Sequence, residues 1–133
     1  MASVPTETAP AKLSLTLEGL RAPRGSVRVC LWSSGKGFPD CKANEDVRRL
    51  AVPATATRVT VDVTNLEPGE YGVSVIHDEN DNRRLDKAFI GLPREGVGFS
   101  NNASAPFGPP KFARVAFPVS GETTANIRMR YYL

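Results

Sequence analysis

Residues 58–77 read RVTVDVTNLEPGEYGVSVIH, and this stretch decides the fold. Val59, Val61 and Val63 alternate with Arg58, Thr60, Asp62 and Thr64. A period of two puts the valines on one face of a strand and the polar residues on the other. The segment Asn65 to Tyr71 then breaks the pattern. Pro68 presets φ for a tight turn, and Gly69 is expected to supply positive φ. Beyond the turn, Tyr71, Val73 and Val75 share the face of a second strand, with the Tyr71 ring expected to bury itself and its hydroxyl to bond at the sheet edge.

The same period recurs outward in both directions. Leu13, Leu15 and Leu17 alternate with Ser14, Thr16 and Glu18, and Val27, Val29 and Leu31 with Arg28, Cys30 and Trp32. Towards the other end, Val115 and Phe117 stand on one face of a strand expected within Phe112–Val119. Ile127, Met129 and Tyr131 line a last strand, opposite Arg128, Arg130 and Tyr132. Lys42–Leu50 is polar and reads as a short helical turn. Gly and Pro, at 11 each, punctuate these runs. The turn Leu66, Pro68, Gly69, Tyr71, Val73 resembles the L-x-P-G-x-Y-x-V entry of transthyretin-like sandwich modules. The expected fold is therefore all-β: an antiparallel Ig-like or transthyretin-like β-sandwich of about seven strands with one long ordered loop. Residues 12–133 form the single domain, and the Ala/Pro/Thr-rich residues 1–11 read as a disordered leader without the apolar run of a signal peptide.

Composition narrows the function. A chain of 133 residues fits one domain. No run approaches the about 18 apolar residues of a membrane span, so no membrane insertion is expected. The net charge of +3 comes from scattered basic residues, so no nucleic-acid partner is expected. Two cysteines and one histidine fall short of the four ligands that tetrahedral zinc takes. Cys30 and Cys41 are either a disulfide or two buried thiols, and spacing alone leaves both open. If they pair, the intervening loop folds back over Trp32, which shares a face with Cys30.

Residues 77–112 read HDENDNRRLDKAFIGLPREGVGFSNNASAPFGPPKF. His77, Asp78, Asn80, Asn82, Leu85 and Asp86 match a first motif. Gly91, Pro93, Glu95, Gly96, Gly98, Phe99, Ser100, Asn101 and Asn102 match a second, and Phe107, Gly108, Pro109, Pro110 and Phe112 a third. Together they resemble the bacterial family DUF2141, from residue 12 onward. The resemblance implies a small exported β domain, periplasmic or secreted, and no assigned reaction. Arg83 departs from the pattern, standing where a glycine is usual.

Asp78, Asn80, Asn82 and Asp86 occupy positions 1, 3, 5 and 9 of a loop, with Arg84 offering its carbonyl at position 7. Oxygen ligands so spaced converge on Ca²⁺ as the backbone curls round it. Phe89 replaces the bidentate glutamate at position 12, and Arg83 and Arg84 repel a cation. The alternative is a turn whose Asp and Asn side chains bond their own backbone. His77, Glu95, Phe99, Ser100, Asn101 and Asn102 are candidates to contact a carbohydrate or a protein partner. Disorder of the 91–112 segment is not expected, because Phe89, Phe99, Phe107 and Phe112 can pin it to the sandwich. His77 as a catalytic base would need Asp78 to orient it, yet neighbours in a strand face opposite ways. It reads instead as a strand-end histidine bonded to the long loop. The expected function is a monomeric, non-catalytic, exported binding module. The alternatives are a structural or assembly domain contacting another protein and, third, a hydrolase centred on His77.

Overall fold

The computed structural model describes residues 9–80, 95–104 and 108–131. Along the chain run β1 (Ala11–Glu18), β2 (Ser26–Trp32), β3 (Arg48–Pro53), β4 (Arg58–Leu66) and β5 (Gly69–Asp78). After these come β6 (Gly96–Phe99), a one-turn helix α1 (Phe112–Val115), β7 (Phe117–Val119) and β8 (Glu122–Arg128). Two sheets result. The smaller has the order β4-β1-β8; the larger runs β3-β2-β5-β6, with β7 pairing the start of β5. The fold is an all-β sandwich.

The alternating apolar residues fill the space between the sheets. Leu13, Leu15 and Leu17 of β1 meet Val27, Val29 and Leu31 of β2, Val73 and Val75 of β5, and Ile127 of β8, all at most 2% exposed. Removing such a side chain costs about 2–5 kcal/mol, transfer and cavity terms together. A second, smaller cluster lies on the outer face of the larger sheet. There Val97, Phe99, Ala103 and Val115 pack with Phe38 and Phe112.

Several expectations are corrected by this arrangement. Lys42–Leu50 is not one helical turn: a short 3-10 turn at Cys41–Ala43 gives way to edge strand β3. Phe112–Val119 divides into helix and strand. The last strand ends at Arg128, and the chain then crosses to β6, where Arg130 bridges Val97. The segment 91–112 contains β6, whose four residues are all buried and so show no alternation. One pairing, β1 with β8, is parallel. Ala11, placed in the leader, already pairs with Leu66 in β1 and is 1% exposed. The turn before β5 takes its left-handed residue at Asn65 (φ 59°), not at Gly69. As expected, Tyr71 seals that turn by donating its hydroxyl to the Glu67 carbonyl at 2.6 Å.

Cys30 and Cys41 form a disulfide with Cα atoms 6.4 Å apart. The intervening loop does fold over Trp32. The indole is fully buried, stands edge-on to Phe38 at 5.1 Å, and donates Nε1–H to Ser74 Oγ at 3.0 Å.

Candidate functional site

β5 delivers His77 and Asp78 to one end of the sandwich, both fully buried. As consecutive strand residues they face opposite sides. Around His77 the turn 21–25, the end of β5 and the C-terminal Tyr131 converge.

The histidine is held at both nitrogens. Nε2 lies 2.8 Å from the Arg24 carbonyl, which can only accept, so Nε2 carries the proton. Nδ1 lies 2.7 Å from the Tyr131 hydroxyl. That hydroxyl also accepts the Arg21 backbone N–H at 3.1 Å. Both ring nitrogens are thus engaged in hydrogen bonds. The structure replaces the expected bond to the long loop with bonds to residues 53 and 54 positions away.

A charged layer covers this clamp. Arg21 donates from Nε (3.0 Å) and Nη2 (2.6 Å) to Glu79 Oε1, and Arg24 Nη2 reaches Oε2 at 3.4 Å. The Arg21 guanidinium also lies over the Tyr131 ring, 4.5 Å from its centre. The Arg21 hydrogen bond holds the Glu79 carboxyl below its ordinary pKa and in turn raises that of Arg21. Burial raises the Tyr131 pKa. Close approach of the backbones makes the packing possible. Gly25, at φ 69°, sits where a Cβ would be 2.1 Å from the Asp78 carbonyl oxygen, and a Cβ on Gly96 would be 2.5 Å from the Tyr131 ring.

The antiparallel register of β5 with β6 ends at His77 opposite Gly96. Asp78 is the last residue of β5, and Glu95 lies one residue ahead of β6. Both are buried, at 0% and 4% exposure. Glu95 Oε2 accepts the Glu79 backbone N–H at 3.0 Å, so its carboxylate folds back onto the chain just after Asp78. Asn80 follows in an exposed turn. Of the remaining expected cation ligands, Asn82, Arg84 and Asp86 lie outside the described residues. Among the described residues no group of three or more His, Cys, Asp or Glu is arranged to hold a metal ion.

Glu95 therefore joins His77 and Asp78, but Phe99, Ser100, Asn101 and Asn102 do not. β6 runs away from this end, and Phe99 pairs with Ser74, three residues back along β5, roughly 10 Å distant. Each of the four has bonds or packing of its own away from that end. Ser100 Oγ accepts from Val73 N at 2.9 Å and donates to the Val115 carbonyl. Asn101 Nδ2 donates to the Arg114 and Ala116 carbonyls, and Asn102 Oδ1 accepts from Arg128 N at 3.0 Å. Phe99 is 8% exposed and packs on Phe38. These four pin α1 and β8 to the larger sheet. Sequence reasoning missed Arg21, Arg24, Glu79 and Tyr131. Only the nearness of Glu79 to His77 in the chain offered a signal.

A family model described as an uncharacterised protein conserved in bacteria (DUF2141) matches residues 15–127. No curated protein and no solved structure matches the chain.

Proposed function

Since the chain belongs to the DUF2141 family of bacterial proteins, we propose that it is a non-catalytic, extracytoplasmic binding module whose site is the end of the sandwich where β5 runs out at Asp78. Its ligand on this reading is a hard divalent cation, Ca²⁺.

The observation that carries the reading is the burial of two carboxylates at this end, Asp78 closing β5 at 0% exposure and Glu95 just ahead of β6 at 4%. Carboxylate oxygens are the ligands that a hard divalent cation takes. The spacing of Asp78, Asn80, Asn82, the Arg84 carbonyl and Asp86 supplies further oxygens at intervals suited to calcium. An extracytoplasmic location is supported by the Cys30–Cys41 disulfide, which persists in oxidising compartments.

The hydrolase reading loses ground on geometry. A general base needs a nitrogen within reach of substrate. His77 is fully buried and each of its nitrogens already has a partner. The assembly reading, through an added strand at a sheet edge, meets a guarded edge. β3 carries Arg48, Arg49 and Pro53, residues typical of edges that resist pairing, and Arg48 reaches across to the Thr64 carbonyl of β4 at 2.7 Å.

Calcium titrated into chelator-treated protein tests the proposal. A ligand that binds only the native state at a hundredfold its Kd adds about 2.7 kcal/mol, which raises Tm on the order of 10 °C in a domain of this size. A Tm unmoved by millimolar calcium would overturn the cation assignment.

A further inference from the structure

We propose that the Cys30–Cys41 disulfide is a redox-sensitive clasp, whose reduction by a dithiol opens the loop 33–47 from the buried Trp32 while the two-sheet core stays folded.

The loop is tied mostly to itself. Phe38 N bonds the Gly35 carbonyl, Asp40 N the Gly37 carbonyl, Asn44 Nδ2 the Lys36 carbonyl and Asp46 N Asn44 Oδ1. Among the described residues it is tied to the larger sheet by the disulfide, by a hydrogen bond from Arg49 to the Cys41 carbonyl, by a contact of Cys41 Sγ with Ser74 Oγ at 3.9 Å, and by the Phe38 ring. That ring sits among Trp32, Phe99 and Phe112, at 5.1, 6.0 and 5.6 Å. It belongs to the outer cluster, whereas the main core between the sheets draws nothing from residues 33–46. Losing the loop therefore strips one face of the larger sheet and leaves the inter-sheet packing intact. Segments with few links to the main core open independently of it. Both cysteines are only half-buried, so a thiolate has access to the bond.

In the exchange, one thiolate of the dithiol attacks Cys41 Sγ. The S–S bond breaks, Cys30 leaves as a thiolate and takes up a proton. The dithiol's second thiolate then attacks the mixed disulfide and releases Cys41, also protonated. Two electrons pass to the protein, and the dithiol becomes a disulfide. The opened face carries Trp32, Phe99 and Phe112, an aromatic surface that the oxidised protein hides.

The test is native-state reduction of the full chain with millimolar dithiothreitol, with mass tagging to count free thiols. Trp32, the one tryptophan, reports by its emission, and hydrogen exchange reports by segment. The clasp predicts a red shift and exchange about tenfold faster or more across 34–47, with 13–17, 59–63 and 73–77 still protected. A Cys30→Ser/Cys41→Ser variant should show the same open state without reductant. Four results would overturn the proposal. They are a bond that resists reduction without denaturant, two tagged thiols with loop exchange unchanged, protection lost in all segments together, or a double variant that does not fold.

Discussion

The Tyr131 hydroxyl lies 2.7 Å from His77 Nδ1 and joins the chain's C-terminal end to the last turn of β5. Through Arg21 N and the Arg24 carbonyl, the same two side chains fix the 21–25 turn. The only histidine thus acts as a structural tie at the end of the sandwich.

Tyr131→Phe removes one hydroxyl and strands two partners, His77 Nδ1 and the Arg21 N–H donor. A buried polar group left without a partner costs about 1–3 kcal/mol. Urea unfolding should show a lower midpoint with an unchanged slope. An unchanged midpoint would mean the tie carries no stability.

Glu79 makes stability depend on acid. Its folded pKa is depressed, chiefly by the Arg21 hydrogen bond, below the ordinary value of 4.5. The unfolded chain therefore binds the proton more readily. The ion pair's contribution is fully present above about pH 4.5 and is lost as pH falls through the lower, folded value. Glu79→Gln should be less stable than the parent at neutral pH, and the gap should close as the pH is lowered below 4.5. Parallel Tm curves for the two proteins across that range would refute the assignment.

Gly25→Ala should be severe. The residue has φ 69°, and its Cβ would fall 2.1 Å from a backbone oxygen that no rotamer change can move. We expect destabilisation of about 2 kcal/mol or more, read as a fall in the denaturant midpoint. The end of β5 would shift with it, so any calcium response should weaken in parallel.

Ser74→Ala leaves the Trp32 indole N–H buried without its acceptor. A loss of about 1–3 kcal/mol is expected. If stability is retained, the indole has another partner in solution.

How much of this was legible in the sequence depended on whether one face of a strand was wet. β1, β2 and β4 alternate because their two faces meet different surroundings, whereas β5 is buried on both faces and shows its period only through Gly72 and Ser74 between the apolar residues. β6 is buried on both faces, so Gly96, Val97, Gly98 and Phe99 carry no alternation and look like loop sequence. β3 is an edge strand with four exposed residues, and its polarity imitated a surface turn. Apolar alternation runs on through Met129 and Tyr131 after the ladder ends at Arg128, so the pattern alone places the last strand too late. The disulfide was undecidable from spacing because only the fold sets the 6.4 Å Cα separation. The His77 clamp was hidden for a related reason. Arg24 and Tyr131 lie more than fifty residues away on either side, and no local pattern records such a meeting.

The most direct measurement of the central claim is the NMR response of the chain to Ca²⁺. If the end of β5 is a cation site, backbone and side-chain carboxyl shifts will move saturably at Asp78, Asn80, Asp86 and Glu95, while Ser100, Asn101 and Asn102 stay still. Shifts that stay fixed at residues 78–95 through millimolar calcium, or that spread evenly over surface carboxylates without saturating, would contradict it.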